Sequence, residues 1–104
     1  METPATPLDP VAFRRHLHRN PELSFREEAT AAFIGEQLTR AGIAHRRTAA
    51  TGVLAAIEGR GDLRRAVVLR ADIDALPIDE RADVAWRSQH PGVMHACGHD
   101  MHAA

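Results

Sequence analysis

The chain has 104 residues, enough for one small domain with a modest core. Thirteen basic against fourteen acidic residues leave a net charge of -1, which gives no electrostatic case for nucleic acid or an anionic membrane surface. One cysteine excludes an internal disulfide framework, no run reaches membrane-spanning length, and Met1-Glu2-Thr3-Pro4 carries no apolar leader, so the expected compartment is the cytoplasm.

Residues 1–8, with Pro4 and Pro7, read as a flexible N-terminal arm, and residues 9–104 as one domain. Asp9-Pro10 predicts a helix start, with Asp9 as N-cap and Pro10 in the first turn. Val11, Phe13 and Leu17 give the helix an apolar side, and Asn20-Pro21 ends it after about ten residues. His16 and His18 fall on different faces, and surface or hydrogen-bonded structural roles are favoured over a functional one for either. Ser24-Phe25-Arg26-Glu27 has the spacing of a capping box that opens a second helix. Ala29, Ala32, Phe33, Ile34, Leu38 and Ala41 lie largely on one side of it, Glu27, Glu28, Glu36 and Arg40 read as solvated, and Gly42 is placed to stop it in the left-handed conformation.

Beyond Ile43 the periodicity changes. Ala44 to Thr48 reads as extended and Gly52 to Glu58 as a strand. Gly59-Arg60-Gly61-Asp62 then signals a turn, and Ala66 to Ala71 suits a buried central strand. This predicts a hairpin across the glycine-rich turn, within a mixed sheet, and an α/β fold class. Asp72 and Asp74 follow that strand, where open α/β sheets place ligands, although capping and a turn before Pro77 would use the same residues. Residues 78–94 show no periodicity and read as a long ordered loop.

The loop delivers the chain to His95-Ala96-Cys97-Gly98-His99-Asp100-Met101-His102. Thiolate and imidazole suit zinc and its borderline neighbours, and carboxylate adds harder character. Gly98 permits a tight bend that turns Cys97 and His99 toward one ion. A buried free cysteine beside surface histidines is the alternative, and the four other metal-capable side chains in the run favour a metal site.

Three blocks resemble the N-terminal part of the M20 metallopeptidase family, in its amidohydrolase branch of hippurate hydrolases, N-acyl-amino-acid deacylases and indole-acetyl-amino-acid hydrolases. They are Arg14-Arg15-His16-Leu17-His18 through Pro21-Glu22-Leu23-Ser24-Phe25 to Glu28, Leu69-Arg70-Ala71-Asp72-Ile73-Asp74-Ala75-Leu76-Pro77, and His95 to His102. The resemblance implies the N-terminal portion of a three-layer α/β/α zinc-peptidase-like catalytic domain, incomplete here. It implies two divalent metals (zinc, manganese, nickel or cobalt), with Cys97 and His99 as ligands and Asp100 as a further candidate. It places Asp74 in support of a ligand, while Asp72 is not counted as a ligand, and His95 and His102 are assigned supporting or structural roles. The implied reaction is hydrolysis of the amide bond of an N-acyl amino acid by metal-activated water, with a glutamate general base. That glutamate, two more histidine ligands and a lid domain that often forms a dimer contact lie beyond the three blocks. The 104 residues are therefore expected to be a piece of a longer homo-oligomeric enzyme and inactive alone. The competing expectations are a non-catalytic metal- or partner-binding remnant and a pseudogene product.

Overall fold

The computed structural model describes residues 7–104. Most of the predicted arm, residues 1–6, lies outside the described residues. The first helix, α1 (Pro10–Arg19), starts as the sequence predicts: Asp9 Oδ1 accepts hydrogen bonds from the Val11 and Ala12 amides at 3.1 and 3.2 Å. It stops at Asn20, whose amide donates to the His16 and Leu17 carbonyls, and Pro21 brings no N–H to continue the ladder.

The second helix, α2 (Glu28–Arg40), has a different start from the one expected. Ser24 makes no capping bond; instead the Glu22 carboxylate accepts from the Ala29 and Thr30 amides and from Thr30 Oγ1. A carboxylate facing these free amides satisfies orphan donors and the positive end of the helix dipole together. Glu27 turns inward, is 6% exposed, and accepts from Thr51 Oγ1 at 2.6 Å, which corrects its reading as a solvated charge. The buried side of α2 is correspondingly rotated, with Thr30 and Ala31 inside and Ala29 and Ala32 exposed. The C-terminus matches expectation. Gly42 takes φ 73°, its amide bonds Thr39 O, and the Ile43 amide bonds Leu38 O, the paired contacts of a Schellman stop.

A hairpin follows, one connection earlier than predicted. Strand β1 (His45–Thr48) pairs antiparallel with β2 (Gly52–Ala55), and Ala49 and Ala50 turn at φ 48° and 65°. The predicted partner strand at 66–71 is unpaired among the described residues, and Val67, Val68 and Leu69 are 90, 83 and 93% exposed. The reason is local: a three-residue loop closes the β1–β2 register, and no described segment offers 66–71 a ladder. Pairing resumes beyond it. Leu23 bridges Ala75 in parallel and Leu76 bridges Met94 in antiparallel sense, which fastens both ends of the 76–94 loop.

The small core is Phe13, Leu17, Ala31 and Ala75. The Phe33 ring packs on Phe13 with centroids 5.1 Å apart and stacks on His16 at 3.8 Å. A last short helix, α3 (His99–Ala103), lies against α1. Among the described residues, no helix is long and apolar enough to cross a membrane.

Burial, and then Arg19, hold the His16 pKa below its ordinary 6.5, outweighing Glu36. The unfolded chain therefore takes up a proton first as pH falls through that value, so the stability His16 contributes is present above it and is lost on acidification. His95 is shifted the same way. Urea midpoints should fall as pH drops below about 6.5, and His16→Phe, which keeps the stack without the titration, should make that fall shallower. An unchanged pH slope in His16→Phe would show that the ring does not contribute.

Candidate metal centre

The centre is assembled by two backbone clamps. The Ala75 amide donates to Glu22 O at 2.8 Å, and the Leu76 and Met94 amides and carbonyls exchange bonds at 2.9 and 3.0 Å. These hold Asp72-Ile73-Asp74 beside the run that leads to α3. Gly98 at φ 87° then makes the sharp entry into the helix, as the Cys-Gly-His spacing requires, and His99 is the first helical residue.

The imidazole of His99 sits between the two aspartates. Its Nδ1 lies 2.9 Å from Asp74 Oδ1 and 3.1 Å from Asp74 O, both acceptors, so Nδ1 is the nitrogen that carries the proton. Nε2, 3.8 Å from Asp72 Oδ2, is left with its lone pair. An imidazole held by a carboxylate on one nitrogen and open on the other is the arrangement of a metal-binding histidine. One donor atom from each of Asp72, Asp74 and His99 lies within 4.8 Å of the others. Two carboxylates and one imidazole fit a divalent ion of borderline-to-hard character. Asp72 had been set aside as a ligand, so its place here goes beyond the sequence reading. Arg70 holds the other oxygen of Asp72 at 2.6 Å.

The remaining predicted residues are distributed around this group. Cys97 is a free, exposed cysteine and is not among the three clustered donors. Asp100 is 1% exposed, and its Oδ2 lies 2.8 Å from both Arg14 Nε and His18 Nδ1. Its carboxylate is thus engaged on α1, while the adjacent His99 faces the aspartates. His102 is exposed, its ring 6.1 Å from that of His99. His95 is buried, neither ring nitrogen has a partner, and burial pushes its pKa down.

Glu80 escaped sequence reasoning, and His18 takes the hydrogen-bonded role read for it. His18 places Nε2 2.7 Å from Glu80 Oε2, and both side chains are almost fully buried. Burial opposes ionisation of Glu80, but hydrogen bonds from His18 and the Ser88 amide hold its carboxyl below the ordinary carboxylate range. The only sequence signal was the place of His18 in the first block; Glu80 carried none.

The profile of Peptidase family M20/M25/M40 matches residues 68–104, which contain Asp72, Asp74, Cys97, His99 and Asp100. The N-acetyl-L-cysteine deacetylase of Bacillus subtilis is 53% identical over 95 residues, 90% of this chain and 23% of that protein. The N-acyl-L-amino acid amidohydrolase of Geobacillus stearothermophilus is 50% identical over 97 residues, 92% of this chain and 26% of that protein. A crystal structure of a Bacillus subtilis protein described as a dinuclear metal-binding peptidase of the M20 family superposes with a TM-score of 0.85. It is 44% identical, over 90% of this chain and 27% of its own length.

Over about 90% of its length the chain is similar to proteins of the M20 peptidase family, and residues 68–104 match that family's model. The chain spans about a quarter of the length of the curated relatives it matches. Its fold class is the α/β class of M20 catalytic domains, of which the described residues form a part with one two-stranded antiparallel sheet.

Proposed function

We propose that the protein carrying this chain hydrolyses the amide bond of N-acyl amino acids at a centre of two divalent metals. The observation that carries the reading is the orientation of His99: Asp74 fixes Nδ1 and leaves Nε2 open beside Asp72. Support comes from the relatives named as a deacetylase and an amidohydrolase, and from the structural relative described as dinuclear.

In this reading His99 and Cys97 hold the metals, with Asp72 as a further candidate, while Asp100 is engaged on α1. The bound metals would polarise the substrate carbonyl, lower the pKa of water and steady the developing oxyanion. Asp74 keeps the His99 proton on Nδ1 and the ring in its plane. Gly98 lets Cys97 and His99 leave the backbone on either side of a bend. His95 is shielded from solvent, and burial pushes its pKa down. No described residue is placed as a proton shuttle to the leaving amine, so the 104 residues alone are expected to be inactive.

The test is release of free amino acids from N-acetyl and N-benzoyl amino acids by the full-length gene product. Release should stop on chelation, return with zinc, manganese, cobalt or nickel, and be lost in His99→Ala. Turnover that survives complete metal removal would refute the proposal.

A further inference from the structure

The helix that begins with His99 has no side-chain cap, and among its described residues Asp100 is the buried side chain. Two tertiary anchors hold its first turn, and with it the direction of His99. One anchor is Asp74, on His99 itself. The other is the buried contact of Asp100 with α1, where Asp100 Oδ2 meets His18 Nδ1 at 2.8 Å.

His18 is built into this position on both sides. Its side chain is 5% exposed, between the Asp100 and Glu80 side chains at 1% and 4%. Each ring nitrogen faces a carboxylate oxygen, so one planar group joins α1, the 76–94 loop and α3. Glu80 continues the link by accepting from the Ser88 amide, and Arg14 Nε stands 2.8 Å from Asp100 Oδ2.

We propose that His18 is a positioning residue for the metal centre: by holding Asp100 it fixes the first turn of α3 and so aims the imidazole of His99. The inference rests on the reading of His99 as a metal ligand. The two nitrogens of His18 have separate tasks, Nδ1 toward the metal-bearing helix and Nε2 toward the loop, and two conservative variants separate them. His18→Asn places an amide donor where Nδ1 stands and keeps the bond to Asp100. His18→Gln reaches the position of Nε2, keeps the bond to Glu80 and releases Asp100. Each variant loses one buried hydrogen bond, so a purely structural role would affect both alike, whereas His18→Ala would mix unfolding with loss of aim.

The experiment is titration of the metal-free full-length protein and both variants with cobalt(II), following its visible absorption in competition with a chelator. Thermal melts of the metal-free forms run alongside. His18→Gln should bind cobalt about 10–100-fold more weakly than the parent, the range for losing an outer support of a metal ligand. His18→Asn should stay close to the parent, with melting temperatures of the two variants similar. Equal cobalt affinities in the two variants, in a protein whose parent form binds cobalt, would overturn the role of His18 and leave the metal reading standing. A parent protein that takes up no cobalt would overturn both.

Discussion

Replacing Asp100 by asparagine should cost about 3–5 kcal/mol, the range for removing one partner of a buried ion pair. The carboxylate is 1% exposed and Arg14 is 30% exposed, so solvent screens the contact weakly. In Asp100→Asn the cationic Arg14 and the His18 ring keep their places without the charge that balances them. An amide can accept one hydrogen bond there but brings no counter-charge. Against the 5–15 kcal/mol that separates folded from unfolded domains in general, this is a large share. Urea denaturation at pH 7 should show a strongly lowered midpoint. A midpoint equal to that of the parent would mean that water or rearrangement already compensates Arg14.

The second large effect concerns the ion. His99→Ala in the full-length protein removes the imidazole between Asp72 and Asp74 and should abolish most metal uptake. Asp74→Asn should act more gently, because its amide can still accept from Nδ1 but supports the ring less strongly. The expected loss is about 10–100-fold in affinity or turnover. Metal content by elemental analysis and turnover, measured on both variants, separate ligand from support. If Asp74→Asn empties the site as completely as His99→Ala, Asp74 binds the ion directly, which its place among the three clustered donors would allow.

What could be seen in the sequence was what depends on neighbours in the chain. Asp9-Pro10 dictates the start of α1 because a short carboxylate reaches amides two and three residues ahead. Gly42 dictates the stop of α2 for an equally local reason. The errors arise where distant groups compete. Glu22 displaced Ser24 as the cap of α2 because it reaches both the Ala29 and Thr30 amides and the Thr30 hydroxyl. The turn between β1 and β2 was hidden because Ala49 and Ala50 take left-handed conformations for which the sequence gives no glycine signal. Residues 66–71 were read as a buried strand from their apolar letters, but burial needs a partner surface, and none of the described segments provides one.

The same division holds at the centre. The Cys-Gly-His spacing pointed to the bend at Gly98, and the second block pointed to Asp74. The spacing could not show that Asp72 would join His99, or that Asp100 would face α1. Those outcomes depend on where the clamps at Ala75 and Leu76 place the chain.

The contact between His18 and Asp100 also has a meaning in time, because it joins residues 82 positions apart. At about 5–20 residues per second, α1 leaves the ribosome roughly 4–16 s before its partner has been synthesised. Through that interval His18 and Arg14 have no Asp100 to meet, while α2 and the β1–β2 hairpin can already close through nearby contacts. Contacts of such high sequence separation are the slow ones to form. The His18–Asp100 contact thus closes only after α1, α2 and the hairpin have been made, and until then its two side chains stand apart.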